Sequence, residues 1–210
     1  MKFEVIRKLF NIKQNNGFSE NDIYKACKKH GNIPLVLQEY YRELGNYKKI
    51  NQTQNNLCEP SKLIDAGEHL IFYKENQYVV QWAIKKTDLD KDNPPVYCSW
   101  DENEFKLESE KLLDFLYAMA FFQAASCGLE YCSEDIYMIS DEQAQIVRNR
   151  YKKIDYKFHQ WMNISYYGNH DDEVICMIEN SDYDMLYASS KQQHFDEMKE
   201  FIDKLTLDFY

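Results

Sequence analysis

Glycine and proline are scarce in this chain, at six and four among 210 residues. The glycines are all isolated, which excludes a glycine-rich loop whose backbone N–H groups could cradle a phosphate. Histidine is also thin: His30, His69, His159, His170 and His194 are dispersed. None of them belongs to an HExxH, GxSxG or Cys-His signature, so no catalytic base is paired with a nucleophile. No apolar run approaches the roughly 18 residues that a membrane span needs. The longest apolar patch, Leu112 to Cys127, is broken by Asp114 and Gln123. The opening MKFEVIRKLF is too short in apolar residues for a secretory leader and lacks a small-residue cleavage site after it, so a cytoplasmic protein is expected.

Positive charge is in deficit as well. Lys and Arg number 25 against 35 Asp and Glu, giving a net charge of -10 and a pI near 5.0. Nucleic-acid binders neutralise phosphate with clustered cations, so nucleic acid is excluded as a partner and a basic protein surface is favoured. The six cysteines at 27, 58, 98, 127, 132 and 176 include one close pair, Cys127 and Cys132. That spacing fits neither a CxxC redox motif nor a zinc knuckle, so reduced thiols are expected and neither metal nor cofactor is assigned. His170-Asp171-Asp172 resembles a small metal or acid/base cluster, but such a tripeptide is commonplace in a turn and is read as one.

What the chain does have is apolar and aromatic content. Hydrophobic residues make up 44% and aromatic residues 15%, with 17 Tyr and 12 Phe, which excludes disorder. Lys2–Ile12 reads as either a short amphipathic helix or an extended lead-in. Ser19 ahead of Asp22 starts a helix over Glu20–His30 that Gly31 stops. Pro34 opens the next helix, with Leu35, Leu37, Tyr40, Tyr41 and Leu44 inward and Gly45-Asn46 as a left-handed cap. The run from Asn46 to His69 reads as a loop with one helical turn near Ser61–Ala66.

Strands are predicted at Leu70–Lys74 and Tyr78–Ile84 around the turn Glu75-Asn76-Gln77, and at Val96–Trp100 after Pro94-Pro95. An apolar helix follows from Ser109, with Gly128 suited to its end, and a second helix runs over Asp141–Tyr151. Strands at Phe158–Tyr167, Glu173–Glu179 and Asp184–Ser189 are separated by Gly168-Asn169-His170 and Asn180-Ser181-Asp182, and a helix over Lys191–Leu207 closes the chain. Grouped strands and helices, without strict alternation, give an α+β class. The expected form is a largely antiparallel central sheet of about six strands with flanking helices, in a single domain over 1–210.

Three stretches resemble the SUKH superfamily, in particular its fungal cell-wall-regulator and killer-toxin-resistance branch and bacterial members similar to it. They are GNIPLVLQEYYRELGN from Gly31, LIFYKENQYVVQWAI from Leu70, and DNPPVYCSW from Asp92 leading into LLDFLYAMAFFQAA. Within them Pro34, Tyr40, Tyr41, Gly45, Glu75, Asn76, Trp82, Pro94, Pro95, Tyr97 and Trp100 carry the likeness. The motif-bearing part is 20–127; the strands and helix of 128–210 match in topology only, and the family's Asn-Gly-Gly helix end is missing.

The resemblance implies a non-enzymatic immunity protein that binds and neutralises a polymorphic toxin, often a nuclease with a basic surface. An alternative from the fungal relatives is a regulatory or scaffold protein in cell-wall signalling. Loop-borne acids are the candidate partner contacts: Asp88, Asp90 and Asp92; Asp101, Glu102 and Glu104; Asp171 and Asp172 with Glu173. Trp82 and Trp100 have two readings, interface anchor or core, and their places at a strand centre and a strand end favour the core.

Overall fold

The computed structural model describes residues 2–179 and 183–207, so the predicted turn Asn180-Ser181-Asp182 lies outside the described residues. Four helices come first: α1 (Glu4–Leu9), α2 (Glu20–His30), α3 (Leu35–Leu44) and α4 (Lys48–Asn51). Strands β1 (Asn55–Leu57), β2 (Ile64–Ala66), β3 (His69–Glu75), β4 (Gln81–Lys85), β5 (Val96–Ser99) and β6 (Lys106–Ser109) precede α5 (Leu112–Gln123). Then come β7 (Tyr131–Cys132), β8 (Tyr137–Ile139), α6 (Asp141–Arg150), β9 (Lys153–Ile154), β10 (Ile164–Tyr167), β11 (Glu173–Glu179), β12 (Tyr183–Ser189) and α7 (Gln192–Leu207).

The α+β class holds, with antiparallel pairing throughout both sheets. Where one central sheet was expected, the described residues form two of six strands each. The first runs β1-β3-β4-β5-β6 with β2 also on β3; the second runs β7-β12-β11-β10-β9 with β8 also on β12. The chain divides into two compact units: residues 14–117 with 158–161, and the described parts of 1–13, 118–157 and 162–210.

In the first unit, local signals place the helices. The Ser19 side chain accepts the Asp22 N–H and Gly31 ends α2 in the left-handed conformation, as predicted. Pro34 is the N-cap of α3, one position before the helix. Leu37, Tyr40, Tyr41 and Leu44 are buried as predicted, but Leu35 is exposed and Val36 is buried in its place. Gly45 is not a left-handed cap, since its φ is -58°. Space is what requires glycine there: a Cβ would sit 2.6 Å from the Phe18 ring and 2.7 Å from the Tyr41 carbonyl oxygen. The buried phenols are satisfied, Tyr40 donating to Asn51 Oδ1 and Tyr41 to the Cys58 carbonyl.

The stretch predicted as loop after Asn46 holds α4, β1 and β2 instead. These elements are three or four residues long, too short to show a period, and β1 and β2 are fixed by pairing with β3. The Asp92–Pro95 piece has a clear task. Asn93 Oδ1 accepts the Leu113 N–H and the Pro94 carbonyl accepts the Leu112 N–H, so it caps the start of α5.

Beneath the first sheet lies an aromatic core. Trp82 packs edge-on to Tyr73 and Trp161 at 6.1 and 4.9 Å and tilts against Phe115 at 5.7 Å. Phe158, predicted to begin a strand, is instead in a non-strand segment whose ring meets Phe115 and Trp161. Glu108, fully buried on β6, accepts the N–H groups of His159, Gln160 and Trp161.

The second unit sets α6 and α7 against one face of its sheet. Ala144, Val147, Met198, Ile202 and Leu205 meet Ile175, Met177, Met185 and Tyr187. Ser140 and Gln143 form a reciprocal capping box at the start of α6, a pattern not recognised in the sequence. After α5 a tight turn puts Cys127, not Gly128, in the left-handed conformation, and Cys127 and Cys132 are joined by a disulfide. That corrects the expectation of reduced thiols for this pair. Cys27, Cys58, Cys98 and Cys176 are free, and burial raises the pKa of each, that of Cys58 to about 11, so none is a ready thiolate nucleophile.

Two imidazoles of the first unit give the fold a pH dependence. Burial holds His30 and His69 below the ordinary histidine pKa, and the Nε2 atom of each is buried without a partner. The unfolded chain titrates them at about 6.5, so between there and the lower folded values the unfolded state binds more protons. Stability is therefore full above that pH and lost as the pH falls through the folded values. Urea midpoints should be level from pH 8 to 7 and drop by pH 5; His69→Phe should flatten part of the drop. An unchanged slope in that variant would remove His69 as a source.

Candidate functional site

Two arrangements carry chemistry, one in each unit. In the first unit the β3–β4 and β5–β6 loops lie at the same end of the sheet, because Gln81 at the start of β4 pairs with Ser99 at the end of β5. Their tips present Tyr78, Val79 and Trp100, exposed by 66%, 51% and 45%. Trp100 is thus not the core residue expected from the sequence, whereas Trp82 is. Around them stand Asp101, Glu102 and Glu104, all exposed.

Both loops are held by their own carboxylates. Glu75 Oε2 accepts the N–H groups of Gln77 and Val79 at 2.7 and 3.3 Å. Asp101 Oδ1 accepts those of Asn103 and Glu104 at 2.9 and 3.0 Å, and these donors hold its pKa below the ordinary carboxylate value. Glu102 accepts a hydrogen bond from the Gln81 side chain. Tyr78 and Glu102 both sit at φ 62°, left-handed positions that glycine or asparagine would fill with less strain. Such strain costs on the order of 1 kcal/mol per residue and is concentrated at functional loops. Asn76 is an exposed member of the first loop.

The other predicted acids divide. Asp88 pairs with Lys91 at 2.8 Å and its side chain is largely covered. Asp90 accepts from the Asn32 side chain at 3.0 Å, and the main chain of Asp92 anchors the start of α3 through the Val36 N–H. The loop is tied to its own unit at these points, while Asp90 and Asp92 remain exposed. Asp171 is exposed and paired with Lys8 at 2.9 Å. Asp172 and Glu173, expected on a surface loop, are buried.

Burial of those two acids belongs to the second arrangement. Both Asp172 oxygens lie 2.9 Å from His194 Nδ1, in the first turn of α7. The His170 ring stacks on His194 with centroids 3.9 Å apart and 10° between planes. Glu173 Oε1 accepts the N–H groups of Asn169 and His170. One ligand atom from each of His170, Glu173 and His194 lies within 4.8 Å of the others. His170 also lines a cavity of about 350 Å³ with Lys8, Phe121, Lys152 and Tyr156. The tripeptide at 170–172 pointed to this place, but His194 and the burial of Glu173 come from pairing of β11 with β12, which no local pattern encodes.

No described helix is long and apolar enough to cross a membrane. Comparison with profiles of known families, with curated proteins and with solved structures finds no match.

Proposed function

We propose that the protein is a non-enzymatic binder of a protein partner with a basic surface, and that its biological role is the one the SUKH resemblance implies, neutralisation of a toxin. The observation that carries this is the loop pair at one end of the first sheet: Tyr78 and Trp100 exposed among Asp101, Glu102 and Glu104, on strained, internally bonded turns. Exposed aromatic side chains on pre-ordered loops supply binding energy at low entropic cost, and a rim of carboxylates speeds encounter with a cationic face. The overall charge of -10 acts in the same direction.

The test is binding kinetics against the polypeptide encoded by the neighbouring reading frame. Trp100→Ala is expected to weaken binding about 10- to 30-fold, mainly through faster dissociation. Glu102→Lys with Glu104→Lys should slow association and reduce its dependence on salt. Asp101 is left intact because it holds the turn. No binding by the parent protein would sink toxin neutralisation and favour the regulatory or scaffold role; binding unaffected by either change would place the interface elsewhere.

A further inference from the structure

The turn between β10 and β11 and the first turn of α7 gather a group of side chains that the proposed binding role does not use. We propose that His170, Glu173 and His194 bind one divalent transition-metal ion of the zinc class, with Asp172 orienting His194. Two imidazoles and a carboxylate are a donor set that zinc takes readily, leaving a fourth position for water. Harder ions such as magnesium and calcium prefer all-oxygen sites.

Geometry distinguishes this group from a chance cluster. His194 Nδ1 faces both Asp172 oxygens at 2.9 Å. That contact favours the tautomer with the proton on Nδ1 and the lone pair on Nε2, the arrangement that carboxylate–histidine–metal sites use. Asp172 is itself fixed, its carbonyl accepting from Ser189 Oγ and the Ser190 N–H, with Lys191 Nζ 3.4 Å from its carboxylate. Glu173 opens β11 opposite Ser189, and its two hydrogen bonds from the turn both fall on Oε1, which leaves Oε2 outside them.

The third ligand is the movable one. The ligand atoms lie within 4.8 Å of one another. On tetrahedral zinc, with bonds of about 2.0–2.2 Å, donors stand about 3.4 Å apart. In the stacked pair the two ring planes are nearly parallel, so in-plane lone pairs cannot both point at one ion, and its entry turns the His170 ring off the stack and toward Glu173. His170 is exposed and free to make that turn. An ion pair of His194 with Asp172 alone would require neither the second imidazole over the first nor a buried glutamate beside them.

The experiment is titration of chelator-treated full-length protein with Zn²⁺ by calorimetry, with Co²⁺ absorption as a second readout. One ion per chain is expected. His170→Ala, a surface change that leaves the fold intact by circular dichroism, should weaken affinity by about 100-fold or more. Asp172→Asn, which removes the orienting charge, should weaken it about 10- to 100-fold. Parent-like binding in both His170→Ala and His194→Ala would mean an adventitious ion only and overturn the site, as would no binding at all. Parent-like affinity in Asp172→Asn would overturn the orienting role. None of these outcomes bears on the partner-binding loops, which lie in the other unit.

Discussion

Glu108→Ala is expected to destabilise the protein by about 3–5 kcal/mol, the range for breaking a buried charged hydrogen-bond group by removing one member. Its carboxylate is fully buried and takes three successive N–H groups, those of His159, Gln160 and Trp161. Alanine would leave all three donors without that acceptor, each at a cost of roughly 1–3 kcal/mol if water cannot reach it. The conservative change separates the effects. Glu108→Gln keeps an oxygen for His159 and Gln160 but turns an amide NH₂ toward the Trp161 N–H, so a loss of about 2 kcal/mol is expected. Urea midpoints would measure both. An alanine variant within about 1 kcal/mol of the parent would show that water replaces the carboxylate and that the segment is not held as described.

Trp82→Ala should cost a similar amount, about 3–5 kcal/mol, through lost burial and the cavity left among Tyr73, Phe115 and Trp161. The side chain is completely buried, so the effect belongs to stability and not to binding. Its indole Nε1 is buried without a hydrogen-bond partner. Trp82→Phe therefore removes an unsatisfied donor as well as ring volume, and a smaller loss of about 1–2 kcal/mol is expected. Thermal melts with near-ultraviolet dichroism would check the pair. If phenylalanine cost as much as alanine, the indole nitrogen would have to be bonded in solution.

These two residues mark what could be read from the chain and what could not. Trp82 was legible as core because a central strand flanked by apolar residues is covered on both faces. Ser19 and Gly31 were legible because helix caps are local chemistry, complete within a few residues. Gly45 was misread for the opposite reason, since what demands glycine there is the ring of Phe18, remote in sequence. Trp100 stands one residue past the end of β5, where alternation no longer dictates a face. Phe158–Trp161 has the aromatic content of a strand but is organised by Glu108, a residue with no visible role in its own sequence context. For the candidate sites, charge and composition singled out the Asp101–Glu104 loop, whose acids are exposed. They could not separate Asp171 from Asp172, neighbours of which one is exposed and the other buried.

The placement of residues 158–161 bears on the order of synthesis. The unit that begins at Gln14 and runs to Tyr117 also contains these four residues, so it is incomplete when Tyr117 leaves the ribosome. Until Phe158–Trp161 has emerged, the Glu108 carboxylate lacks its three donors and Trp82 lacks the edge of Trp161. At about 5–20 residues per second, that wait spans seconds with an aromatic core still open, a natural point for chaperone engagement. A fragment cut after Tyr117 would remain in that nascent condition permanently, so gene truncation at this boundary would yield a sticky intermediate in place of a free-standing module.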